Sequence, residues 1–206
     1  MILSAIGLGV LAYLLGSIPT GFLIFKLVEK KDIRAYGSQS IGATNVLRTK
    51  GFSWALIVLV LDALKGAAPA LLTRAFVPHL WLALALCWLA VVGHCFPFAL
   101  GFRGGKGVAT SVGVMLVFSW PSVAASAAVF LIIVALTRIV SLGSLIAALA
   151  FLPLIYFFER HWSLTLVASL FSLLIWLRHR ANIQRLWRGQ ENRLGQKIGL
   201  GKASNE

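Results

Sequence analysis

The chain reads as an all-α integral membrane protein, a seven-transmembrane-helix bundle with its N-terminus outside and its C-terminus cytoplasmic. Three observations predict this. Hydrophobic residues make up 59% of the 206 positions and charged residues 12%, whereas soluble domains are nearer half apolar and a quarter charged. Apolar runs of the ~17–25 residues that cross a bilayer recur along the chain. The 19 Lys and Arg outnumber the 6 Asp and Glu, and most of them fall in alternate loops, the bias expected of cytoplasmic segments. The longest polar stretches, 26–50 and 178–206, are too short for a soluble domain, so residues 1–206 read as a single polytopic domain. The apolar stretch Ile2–Phe25 is too long, and too poor in basic residues at its start, for a cleavable signal peptide.

The spans are expected at 3–25, 53–73, 79–97, 108–118, 121–137, 142–158 and 162–177. Residues 108–137 are almost continuously apolar and long for one tilted helix. Pro121, after Ser119-Trp120, breaks or kinks a helix there, which favours two helices with the first short. Seven spans then place Lys26, Lys30, Lys31, Arg34, Arg48, Lys50, Arg103, Lys106, Arg138 and the basic C-terminal segment on the cytoplasmic side. Only Arg74 and Arg160 fall opposite. A six-span arrangement would put the basic C-terminal segment outside, against the rule.

The net charge of +13 points to anionic lipid or anionic substrates. Cys87 and Cys95 lie ~12 Å apart on one helix, too far for a disulfide, and no Cys/His cluster has metal spacing. Neither a metal nor a cofactor is expected, and nucleic acid is not an expected partner.

Four segments on the cytoplasmic side carry chemistry. The loop Gly104-Gly105-Lys106-Gly107 adds a full charge to a glycine-rich backbone able to point successive N–H groups at one spot. It opens a helix at Val108 whose N-terminal dipole favours an anion. It is not a Walker A loop, because Leu100 and Gly107 stand where glycine and Ser/Thr are required. His94, just upstream, reads equally as a helix-end histidine. Gly37–Asn45, with Ser38, Ser40, Thr44 and Asn45, is either a polar turn or a hydroxyl and amide cradle closed by Arg48. Arg138–Ser144, with Ser141 and Ser144, breaks two spans. In Arg178–Glu191, His179 and Asn182 share one helix face, within a segment whose charge alone suits lipid headgroups. Inside the second span, Asp62 and Lys65 are expected to pair, facing the bundle interior.

With these residues in view, the chain resembles the bacterial acyl-phosphate:glycerol-3-phosphate acyltransferase family, PlsY-type. The resemblance rests on Gly16-Ser17-Ile18-Pro19-Thr20-Gly21, Gly37–Asn45, Asp62-Ala63-Leu64-Lys65-Gly66, Gly93–Thr110, Arg138–Ser144 and Arg178–Glu191. One departure is Ser40, where the family usually has asparagine. The resemblance implies transfer of a fatty acyl group from a long-chain acyl phosphate to the sn-1 hydroxyl of glycerol 3-phosphate, giving lysophosphatidic acid and phosphate. It implies a multi-pass protein of the bacterial inner membrane with a cytoplasmic site, and a soluble acyl-phosphate synthase as partner. On that reading Lys106 with Gly104, Gly105 and Gly107, and Arg48, bind phosphate. Ser38, Thr44 and Asn45 position substrate or donate to the developing oxyanion, Ser141 makes a site contact, and His179 and Asn182 orient the acceptor. The proton goes either to His179 or to a substrate phosphate. A small polytopic anion transporter is the competing expectation; the gathering of polar motifs on one side, and not at the midplane, argues against it.

Overall fold

The computed structural model describes residues 2–196, all helices and turns among those residues. Helix α1 (Ile2–Gly16) and α2 (Thr20–Glu29) occupy the expected first span. Pro19 divides them, because it lacks an N–H and restricts the residue before it. The sequence reading took 3–25 as one uninterrupted helix; the two pieces together still form an apolar stretch, Ala5–Glu29, long enough to cross a membrane. The short helix α3 (Ala43–Lys50) follows the Gly37–Gly42 loop, and α4 (Phe52–Phe76) and α5 (Leu80–Cys95) follow it.

Helix α6 (Val108–Phe118) ends at Ser119, and α7 (Trp120–Thr137) begins immediately after, with Pro121 in its first turn. Proline is tolerated there because the first-turn N–H groups have no intrahelical acceptor. The Ser119 and Ser122 hydroxyls bond each other at 2.6 Å across the break. The chain finishes with α8 (Val140–Glu159), α9 (Trp162–Arg178) and α10 (Arg180–Trp187).

Among the described residues, five helical stretches are long and apolar enough to cross a membrane, and α9 joined to α10 across a 58° bend makes a sixth. The element that falls short of the expected seven is α6. Its 11 residues span ~16 Å, about half the hydrocarbon thickness.

Small residues draw the helices together. Gly66 on α4 faces the Thr110 carbonyl of α6, and Gly113 on α6 faces the Ala63 carbonyl of α4, so a β-carbon at either position would run into the partner backbone. Gly16 on α1 and Gly93 on α5 meet in the same reciprocal way. This is how membrane helices gain contact where no hydrophobic force drives them together. The core runs through α5, where Leu84, Cys87, Val91 and Cys95 are fully buried. Helices α4 and α6 pack as one pair and α7 and α8 as another, and the gap between those pairs leads to the site.

Candidate active site

Three helix N-termini converge on one polar pocket of 140 Å³: Gly42-Ala43-Thr44 of α3, Gly107-Val108-Ala109 of α6, and Val140-Ser141 of α8. None of the three carries a side-chain cap on its first turn, so partial positive charge and the N–H groups of Ala43 and Thr44, Val108 and Ala109, and Val140 and Ser141 remain for an anion. Arg48 and Lys106 line the same pocket. Arg48 donates to the Asn192 carbonyl at 3.3 Å, and its Nε is buried without a protein acceptor, a donor that an anion satisfies. Burial and neighbouring Arg185 lower the Arg48 pKa, opposed by Glu191. Burial pulls Lys106 down to about 8, Glu191 opposes that, and Arg185, Arg48 and Arg178 add to the fall.

One chain of hydrogen bonds ties the cations to the end of α9 and to α10. Lys106 Nζ donates to Asn182 Oδ1 at 2.6 Å, and Asn182 Nδ2 donates to Glu191 Oε1 at 2.7 Å. The Ser141 hydroxyl donates to that same oxygen at 3.0 Å, and Arg185 Nε to the other at 2.7 Å. Burial would raise the Glu191 pKa, but the bonds from Arg185, Asn182 and Ser141 hold it below the usual carboxylate range. Glu191 is thus an anionic hub that fixes the amide of Asn182 and, through it, the position of the Lys106 ammonium. The sequence reading passed over this residue. The available signal was a lone carboxylate in the strongly basic segment 178–191.

His179 lines the pocket at the junction of α9 and α10. Its Nδ1 lies 2.8 Å from the Ile175 carbonyl. A carbonyl only accepts, so Nδ1 carries the proton and Nε2 keeps a lone pair.

Two expectations are corrected. The Gly104 and Gly105 N–H groups do not point at an anion: they donate to the Cys95 and His94 carbonyls at 3.2 and 3.0 Å. Neither glycine lines the pocket. Their own carbonyls accept from Arg178, Gly104 from Nη2 and Gly105 from Nε, both at 3.1 Å, and the Arg178 guanidinium stacks over Phe96. The loop is a clamped mount that delivers Lys106 and Gly107 to the pocket, because pairing with the end of α5 uses up the Gly104 and Gly105 N–H groups. Asn45 likewise does not offer its amide to a substrate. Its Oδ1 accepts from the Ser38 N–H at 2.9 Å, and its Nδ2 faces the carbonyls of Ser40, Tyr36 and Ile33 at 2.8, 3.0 and 3.4 Å. That amide holds the loop bearing Ser38 and Ser40 against the pocket.

Ser38, Thr44, Ser141, Asn182 and His179 all line the pocket with Arg48 and Lys106. Asp62 and His94 line it too. Asp62 pairs with Lys65 at 2.8 Å, accepts from the Thr20 hydroxyl, and has His94 Nδ1 3.6 Å away. Lys65 also donates to the Ile18 carbonyl at 2.8 Å, beside the Pro19 break. The pairing matches the sequence expectation; the contact with His94 does not follow from spacing, because it crosses from α4 to α5.

Leu59, Val108, Ala109, Phe130 and Ser144 line both this pocket and an adjoining groove of 440 Å³. The groove is walled mainly by apolar side chains of α4, α6, α7, α8 and α9. The polar pocket therefore opens directly into an apolar groove.

Comparison with known proteins identifies the family. The family described as glycerol-3-phosphate acyltransferase matches residues 6–189. The chain belongs to that family. Its relatives include the glycerol-3-phosphate acyltransferases of Rhodospirillum rubrum, 44% identical with 95% of each chain covered, and of Jannaschia sp., 46% identical with 90% of each covered. Among solved structures, crystal structures of PlsY (YgiH), an integral membrane glycerol 3-phosphate acyltransferase, match in the glycerol 3-phosphate form and the lysophosphatidic acid form, with TM-scores of 0.88 and 0.86. Both are 39% identical and cover 93% of this chain and 96% of theirs. As a member of the family, the chain is an integral membrane acyltransferase.

Proposed function

We propose that the protein transfers a fatty acyl group from acyl phosphate to the sn-1 hydroxyl of glycerol 3-phosphate, releasing lysophosphatidic acid and phosphate. The observation that carries this reading is the junction of the cationic pocket with the apolar groove. The reaction needs one place for phosphate and one for an acyl chain, with the carbonyl between them.

Arg48, Lys106 and the N-termini of α3, α6 and α8 hold the phosphate groups of the two substrates. The acyl chain enters the groove past Val108, Phe130 and Ser144. Ser38 and Thr44 stand where hydroxyls position the substrates and stabilise the tetrahedral oxyanion, while Ser141, whose proton goes to Glu191, positions a substrate as an acceptor. Asn45 and Asn182 serve by holding Ser38 and Lys106. The acceptor hydroxyl attacks the acyl carbonyl, the carbon–oxygen bond to phosphate breaks, and phosphate leaves with the bonding pair. Acyl phosphate is a mixed anhydride with a good leaving group, so direct transfer needs alignment and charge stabilisation and no acyl-enzyme.

The hydroxyl proton passes to His179 Nε2 or to a substrate phosphate. The His179→Gln variant separates these: a fall in kcat of about 10²-fold or more assigns the base to His179, and near-normal kcat assigns it to phosphate.

The topology that fits is seven crossings, with α6 a half-length element completed by its break into α7. The N-terminus then lies outside and the pocket faces the cytoplasm of a bacterial inner membrane. There the enzyme would catalyse the first acylation of phospholipid synthesis, supplied by a soluble enzyme making acyl phosphate. Purified protein with palmitoyl phosphate and glycerol 3-phosphate is expected to release phosphate and form lysophosphatidic acid in equal amounts. Folded protein that forms neither overturns the reading.

A further inference from the structure

The apolar groove has a countable depth. Its mouth is the set of residues shared with the polar pocket, among them Val108 on α6, Phe130 on α7 and Ser144 on α8. Its far end is Met115, Val123, Phe151 and Phe171, all members of the packed core. Val108 to Met115, Phe130 back to Val123, and Ser144 to Phe151 are each two helical turns, so three helices independently place the floor ~10 Å below the mouth. A carbon chain with ~1.5 Å bonds and ~111° angles advances ~1.25 Å per carbon, so roughly eight carbons reach that floor.

Between mouth and floor the walls are built from small residues, including Ala63, Ala127, Ala147, Ala148 and Ser172. Ala147 on α8 is buried, whereas Ala127, one turn from the mouth on α7, is exposed. The groove is closed by the buried faces of α8 and α9 and open where Val60 of α4, Val112 of α6 and Ala127 of α7 are exposed.

We propose that the floor divides the acyl chain. About the first eight carbons lie extended in the groove and must be straight there. The remaining carbons turn out along α7 into lipid, where the protein does not read them. The inference rests on the acyl-transfer reading above. It makes the enzyme selective for the proximal half of its donor and indifferent to distal unsaturation. A cis double bond bends the chain sharply, so a proximal bend either meets the buried walls of α8 and α9, which cannot yield without repacking, or lifts the chain out of the open side before it reaches the floor.

The test compares three 16-carbon donors at saturating glycerol 3-phosphate: palmitoyl, cis-5-hexadecenoyl and cis-11-hexadecenoyl phosphate. The cis-5 donor is expected to show kcat/KM about tenfold or more below palmitoyl, and the cis-11 donor to stay within about twofold. Two variants, Ala147→Leu and Ala127→Leu, fill the groove from the neighbouring helices α8 and α7, ~4.5 Å below the mouth. Each is expected to lower the palmitoyl-to-butyryl ratio of kcat/KM about tenfold; Ala127 is exposed, so at least that variant keeps its fold. Equal kcat/KM for the cis-5 and cis-11 donors, or an unchanged ratio in the folded variants, overturns the floor while leaving the acyltransferase reading standing. Wild-type protein inactive with all three donors overturns both.

Discussion

Two glycine-rich loops border the polar pocket, and each is locked by one side chain, but the locks differ in reach. Residues 37–42 are held by Asn45, whose amide bonds backbone groups no more than 12 residues away. Residues 101–107 are held by Arg178, which grips the Gly105 carbonyl from 73 residues away. The first lock is local: it forms when its own segment folds, and it depends on a neutral amide matched to three carbonyls and one N–H. The second exists only when α9 is seated against the end of α5. It uses a guanidinium, whose fixed fork suits two adjacent carbonyls in a way an ammonium cannot. The local lock holds hydroxyls, and the remote lock holds the charge.

The difference can be probed in descending order of effect. Lys106→Ala removes what the remote lock delivers, and kcat/KM for glycerol 3-phosphate is expected to fall by about 10²–10³-fold; steady-state kinetics on folded protein measures this. Arg178→Ala leaves Lys106 present but its mount loose. Losing about 2 kcal/mol of charge-assisted bonding is expected to cost roughly 30-fold in kcat/KM. Arg178→Lys should recover only part of that, and full recovery would mean charge, and not the two-carbonyl grip, is what the loop needs. Asn45→Ala strikes the local lock. Stability is expected to drop by about 2 kcal/mol, read as a Tm lower by roughly 5 °C, and a drop in activity with Tm unchanged would instead place the amide on the substrate. The smallest effect is in pH. Lys106 loses its charge as pH rises through about 8, so KM for glycerol 3-phosphate is expected to climb about fivefold between pH 8 and 9. Arginine stays charged throughout this range, so Lys106→Arg should flatten that limb.

Several parts of the site were legible before folding. Pro121 marked the α6–α7 break because a ring without an N–H acts locally. Asp62 and Lys65 announced their pairing because two charges three residues apart on an apolar helix share a face. His179 and Asn182 announced a shared face in the same way. Other parts were not. The Gly104–Gly107 sequence allows its N–H groups to face an anion, and nothing in it shows that the His94 and Cys95 carbonyls claim two of them. Asn45 in a hydroxyl-rich loop looks like a substrate contact until the loop closes around it. Glu191 becomes a hub only when α8, α10 and the Lys106 loop meet.

The sequence by itself determined the helical class, most of the helix positions and the alternation of charge between loops, because periodicity, proline and hydropathy act within a few turns of chain. It also supplied the residues of the pocket. Tertiary structure alone decided which of those residues present free donors to the pocket and which hold the others in place. It alone joined the cationic pocket to a groove two helical turns deep. Those outcomes depend on carbonyls and side chains brought together across as many as 144 positions, and packing of small residues between helices sets that geometry.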